Sequence, residues 1–204
     1  DHTTIIPKNE FDNTLVNAYA GAGKTYEIIN NLLPTIKGDY IILTPSHSSL
    51  KEYKKAGFNS EVIQKYEYKF ECFKDKIIIV DEIGMVSYNG MINIYKWSLL
   101  GNKIYCYGDF KQLLPVGRQT PLNTNIFVKA TFKNIKNMNT NYRNNFTRDF
   151  YDSCINGEVN KKELILKYLT NPDSVNVCAY TNVAVNKYND IISKRLGHTS
   201  IFSV

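Results

Sequence analysis

One eight-residue string limits this chain more than any other: AYAGAGKT, Ala18 to Thr25, set between an apolar run and an amphipathic stretch. Gly21, Ala22 and Gly23 are small enough for backbone N–H groups to curl around phosphate oxygens, with Ala20 on the approach and Tyr26 just beyond. Lys24 offers a cation that reaches β- and γ-phosphates, and Thr25 a hydroxyl for Mg²⁺. A helix starting at Lys24 also aims its positive dipole end at the anion. Ala holds the first position of the string, where Gly is commoner. The strand before and helix after make a chance occurrence the weaker reading, and they place the chain in the α/β class.

The rest of the pattern agrees. Leu15 to Ala20 reads as a strand, and the helix from Lys24 shows Ile28, Ile29, Leu32 and Leu33 on one face before Pro34 ends it. Tyr40 to Thr44 is a second strand, followed by a helix over roughly Ser48 to Ala56. Lys76 to Asp81 is a third strand, apolar on both faces as a central parallel strand is. A helix around Tyr88 to Leu100 leads to a fourth, Lys103 to Tyr107. Alternating strands and helices predict a parallel sheet with helices on both faces. Further on, Thr131 to Met138 and Val175 to Tyr180 read as strands, Phe146 to Ile155 and Asn182 to Leu196 as helices. The stretch from Gly157 to Asp173 suggests a boundary, with a nucleotide-binding domain over 1–157 and a second, partial lobe over 158–204.

Two more strings carry chemistry. IIIVDEIGM sets Asp81 and Glu82 at the C-terminal end of an apolar strand, where ligands of open parallel sheets bind. Asp81 there would hold Mg²⁺ through water, and Glu82 would polarise an attacking water. YGDFKQLLPVG, Tyr107 to Gly117, again ends a strand on a carboxylate, Asp109, with Gln112 three residues on and able to sense a γ-phosphate. A solvated loop explains either pair alone. It does not explain both strings after a phosphate-binding loop.

Taken together these strings resemble the superfamily 1 helicases, and DEIGM with TNYRNN (Thr140 to Asn145) resembles the Pif/RecD/Dda branch. The resemblance covers roughly Thr14 to Asn189, with the motifs in the family's order. It implies a RecA-like P-loop NTPase fold, ATP and Mg²⁺ as cofactors, and movement on single-stranded DNA, with RNA as the close variant. It implies an arginine finger at Arg143. It also implies strand contacts from TPSHSS, where Thr44, Pro45, Ser46 and His47 stand, and from VIQKY, where Gln64 stands. AYTNVAVNKYN, Ala179 to Asn189, resembles the opening of the family's second motor lobe. A 5′-to-3′ polarity and partner proteins of replication or repair are expected from the resemblance alone.

The chain departs from the family in three places. The second lobe's later motifs are missing before Val204, which predicts a fragment or a reduced homologue. Only about ten residues separate Tyr66 from Lys76, where the family inserts a duplex-splitting pin. The adenine-reading glutamine segment has no match in residues 1–13. These gaps keep two other readings open: a nucleotide-binding switch without unwinding activity, and more remotely a small-molecule kinase.

Composition adds limits. A formal charge of +6 over 204 residues gives mild support for a polyanionic partner. Four cysteines without paired spacing and three histidines argue against zinc and disulfides, and predict buried, reduced thiols. No apolar run reaches membrane length, and no signal segment opens the chain, so an intracellular, cytoplasmic protein is expected, nuclear or virus-associated locations included. Abundant Asn, Lys, Ile and Tyr suggest an AT-rich coding source such as a virus, a phage or an AT-rich microbe.

Overall fold

The computed structural model describes residues 12–69, 71–112, 121–140 and 142, together with Thr170, Asn186, Lys187, Asp190, Ile191, Ser193 and Lys194. The chain divides into two compact units, Asp1–Arg148 and Asp149–Val204. The boundary read from the sequence at 157/158 falls inside the second of these.

Among the described residues of the first unit six parallel strands form one sheet: β1 Thr14–Ala18, β2 Tyr40–Thr44, β3 Ser60–Val62, β4 Ile77–Val80, β5 Lys103–Gly108 and β6 Asn134–Met138. Their spatial order is β3-β2-β4-β5-β1-β6. The chain leaves β1 and crosses to β2, skipping two places that β4 and β5 later fill. The crossovers are helical: α1 Lys24–Tyr26, which continues as a π-helical stretch Glu27–Leu32 and a 3₁₀ turn Leu33–Thr35, then α2 His47–Lys55, α3 Tyr88–Leu99 and α4 Ile126–Thr131.

Side chains alternate across the strands and so feed two cores. Ile78 and Val80 of β4 join Ile41, Leu43, Ile104 and Cys106 under Met91, Ile94 and Trp97 of α3 and Val128 of α4. Ile79 joins Val16, Ala18, Ile42 and Tyr107 on the other face, beneath Ile28 and Tyr53 of the first two crossovers. The sheet is therefore covered on both faces, and β4, between β2 and β5, is the central strand its run of apolar residues predicts.

Strands β1, β2, β4 and β5 and helices α2 and α3 lie within a residue or two of their predicted places. Two elements were not legible. Strand β3 is three residues long and is organised by pairing with β2, Ile42 opposite Ser60 and Thr44 opposite Val62, rather than by any pattern of its own. Helix α4 is nucleated by Asn125, whose side-chain oxygen accepts from the N–H groups of Phe127 at 3.0 Å and Val128 at 3.2 Å. It ends at Thr131, so the strand read from Thr131 begins only at Asn134.

The readings at Phe146 to Ile155 and Val175 to Tyr180 lie outside the described residues. The described residues from Asn186 to Lys194 are helical, as the pattern over 182–196 predicts. Cys106 is buried, but Cys72 is exposed, in contrast to the expected burial of all thiols, because it falls in the loop between β3 and β4. Cys154 and Cys178 lie outside the described residues. Among the described residues no helix is long and apolar enough to cross a membrane.

Candidate nucleotide-binding site

The strand order sets the C-terminal ends of β2, β4, β5 and β1 side by side on one edge of the sheet. Each step along that edge is about 5 Å. Thr44, Asp81, Asp109 and the loop after Ala18 consequently stand in one row, although they are far apart in sequence.

The loop after β1 turns tightly, with the Ala22 N–H on the Tyr19 carbonyl at 3.0 Å. Gly21 and Gly23 take φ of 80° and 78°, in the left-handed region that other residues enter at a cost. A Cβ at Gly23 would lie in ordinary van der Waals contact with the Tyr142 ring, 3.5 Å away, so the backbone conformation is what favours glycine there. The Ala22 methyl is buried in the core between sheet and helix. The Ala20 N–H donates to Asp109 Oδ2 at 3.1 Å, and the Tyr142 N–H to the Gly21 carbonyl at 3.1 Å. Asp109 also accepts at Oδ1 from the Lys111 N–H at 2.9 Å. Its carboxylate thus fastens the phosphate loop to the loop after β5. Gln112 continues that second loop, its N–H on the Asp109 carbonyl at 3.3 Å.

Asp81 is 3% exposed. Its N–H extends the β2–β4 ladder to the Leu43 carbonyl. Both carboxylate oxygens are engaged: Oδ1 accepts from the Glu82 N–H at 2.9 Å, and Oδ2 from the Tyr53 hydroxyl at 2.8 Å. Burial pushes the Asp81 pKa up to about 6, the nearby Glu82 adds to the rise, and the Tyr53 hydrogen bond and the Lys24 charge oppose it. Tyr53 is fully buried, and burial and the Asp81 charge hold its phenol far above the usual range, so it stays a donor. Glu82 sits at φ 58°, ψ 42°, a left-handed conformation that is strained for a non-glycine residue. Strain of this kind persists only where neighbours enforce it. Here the turn Ile83–Met85 packs down on Gly108, where a Cβ would meet Ile83 Cγ2 at 2.7 Å.

The donor set suits a small hard cation. The Asp81 carboxylate and the Thr25 hydroxyl both neighbour the Tyr53 oxygen, and Mg²⁺ is commonly held by one or two protein oxygens together with substrate phosphates and water. Beside the phosphate loop lies a cavity of about 460 Å³, lined by Gly23, Tyr26, Glu27, Asn31, Met138 and Tyr142.

The expected strand contacts divide. Thr44 is fully buried and its hydroxyl donates to the Ser46 carbonyl at 3.1 Å, so its side chain shapes the turn and does not face outward. Ser46 caps α2, accepting from the Ser49 N–H at 3.3 Å. His47 is exposed at the head of the helix, and Pro45 is half-buried. Gln64 donates from Nε2 to the Pro45 carbonyl at 2.8 Å, which ties the two predicted segments together. Arg143 lies outside the described residues.

Three residues escaped the sequence reading. Asn17 accepts the Phe110 N–H at 3.1 Å and donates to Asn137 Oδ1 at 3.0 Å, joining β1 to the loop after β5 and to β6. Tyr142 was seen only as the neighbour of Arg143. Tyr53 had one signal, a tyrosine three residues after Leu50 on the buried face of α2, whose hydroxyl needs a partner.

A family model described as an AAA domain matches residues 8–151. The chain belongs to the AAA domain family. Among solved structures, this member is similar to Bacteroides sp Pif1 in complex with ADP-AlF4, at 19% identity over 92% of this chain and 54% of that one, with a TM-score of 0.55. It is similar also to the Pif1 helicase from Candida albicans, at 16% identity over 94% of this chain and 52% of that one, with a TM-score of 0.57. The fold is therefore the RecA-like one expected, and the chain spans about half the length of these structures. No curated protein sequence matches it.

Proposed function

We propose that this AAA domain chain binds ATP with Mg²⁺ at the sheet edge and couples its hydrolysis to a single nucleic-acid strand, as the motor core of a DNA helicase or translocase. One observation carries the reading: the sheet order brings the phosphate loop, the Asp81–Glu82 pair and the Asp109–Gln112 loop into one row, with hydrogen bonds linking the first to the last.

Lys24 neutralises the β- and γ-phosphates. Thr25 and Asp81 hold Mg²⁺, whose charge offsets that of the phosphates when it is bound. Glu82 polarises the attacking water and Gln112 senses the γ-phosphate through the loop that Asp109 anchors. Arg143 supplies the finger that reaches the same phosphate. Tyr26 and Tyr142 give the neighbouring cavity aromatic walls suited to the base and ribose.

The head of α2 is the strand side of the site. Pro45, Ser46 and His47, braced by Gln64, offer hydroxyl, imidazole and backbone groups to strand phosphates. DNA is the preferred strand, RNA the variant, and 5′-to-3′ the direction. Replication or repair machinery is the setting this activity suits.

The deciding experiment is ATP hydrolysis by the chain with and without single-stranded DNA. We expect stimulation by the strand. Lys24→Ala should abolish tight Mg-ATP binding, whereas Glu82→Gln should keep binding and lower turnover by about 10²-fold or more. Hydrolysis by Glu82→Gln at the parent rate would show that another group activates the water. Stimulation by an RNA strand in preference to DNA would move the substrate to RNA.

A further inference from the structure

Nothing in the proposed chemistry requires a tyrosine in α2, yet the Tyr53 side chain is fully buried and its hydroxyl donates to Asp81 Oδ2 at 2.8 Å. The Thr25 side chain lies near the same phenol. The phenol therefore holds the Asp81 carboxylate at the end of β4, with Thr25 of the phosphate loop nearby. With the Glu82 N–H on Oδ1, the Asp81 carboxylate is held at both oxygens. A carboxylate so held has its rotation about χ2 fixed, and its remaining lone pairs keep a constant direction.

We propose that Tyr53 is a positioning residue of the cation site, which holds the carboxylate of Asp81 in the orientation a hydrated divalent cation requires. The inference rests on the ATP reading above. Phosphate recognition by the loop and by Lys24 does not pass through Tyr53. Loss of the hydroxyl should therefore weaken the contribution of the metal and spare that of the nucleotide alone. A residue that merely filled space would affect the two alike.

The test uses the full chain and a fluorescent ATP analogue, titrated once in EDTA and once in excess Mg²⁺. Tyr53→Phe keeps the ring and removes the oxygen. Its affinity in EDTA should stay within about twofold of the parent, while the tightening produced by Mg²⁺ should fall about tenfold. Tyr53→Met fills the same buried space with a flexible apolar chain, and serves if the phenylalanine packs badly. Thermal melting identifies the variants that are folded, and each folded one should show the same selective loss. Parent-level tightening by Mg²⁺ in either folded variant would overturn the proposal and leave the ATP reading intact. Absence of tightening in the parent chain would overturn the ATP reading, and the role of Tyr53 with it.

Discussion

Asp81 is expensive to fold. Burial raises its pKa from 3.8 to about 6, against the hydrogen bond from Tyr53 and the charge of Lys24. The folded chain therefore holds this proton more tightly than the unfolded chain does. The stability that results is complete below the unfolded value and is lost as pH rises through 6. Asp81→Asn should thus stabilise the nucleotide-free chain at pH 8, by about 1–3 kcal/mol. The gain should shrink as pH falls from 6 toward 4. Thermal melts in EDTA at pH 8 and pH 5 would measure it, and an equal gain at both would mean that the buried charge is not the cause. The same variant should lose its response to Mg²⁺. Such a cost, beside the strained backbone of Glu82, is what the proposed cation role of Asp81 would account for.

Among the elements, the loops at the N-terminal edge of the sheet are held by buried amides. Asn13 accepts the Ile104 N–H at 2.8 Å and donates to the Thr131 carbonyl at 3.3 Å, joining the entry of β1 to β5 and to the end of α4. Asn102 is fully buried, donates to the Phe73 and Trp97 carbonyls and accepts the Lys76 N–H, which anchors the turn between α3 and β5 to the start of β4. On the functional edge the fit is closer still. Gly108 ends β5 directly beneath the turn that carries Glu82, and a Cβ there would meet Ile83 Cγ2 at 2.7 Å and the Gly84 nitrogen at 3.3 Å. Gly108→Ala should cost about 1–3 kcal/mol, read from the urea midpoint. It should lower kcat for ATP more than it raises KM, since the displaced turn carries Glu82 while the phosphate loop is untouched. A parent-like kcat would show that the turn can shift without disturbing Glu82.

At the scale of the whole molecule, nucleotide and fold should be linked. A ligand that binds only the folded chain stabilises it by about 2.7 kcal/mol at a hundred times its Kd, which for a chain of this size is roughly 5–10 °C in Tm. Mg-ATP should produce that shift and EDTA should remove most of it. An unchanged Tm at saturating Mg-ATP would argue against the site as a whole. The chain spans about half of each Pif1 structure it resembles, so strand-stimulated turnover by these residues alone tests how much of a motor they contain.

The phosphate loop, the strands it follows and the carboxylates that end β4 and β5 were legible in the sequence, because each depends on local rules. Backbone curling needs small residues at Gly21 to Gly23, and a central parallel strand needs an unbroken run such as Ile77 to Val80. Strand β3 and helix α4 were not legible, since pairing with β2 creates the one and the Asn125 cap creates the other. Thr44 looked like a surface contact and is buried, because a hydroxyl can serve a turn as readily as a ligand. Nor could the sequence show that Tyr53 meets Asp81 across 28 residues. Local chemistry named the candidate parts of the site. The crossover from β1 to β2, which leaves room for β4 and β5 between them, put those parts in one row, and only long-range packing decides such an order.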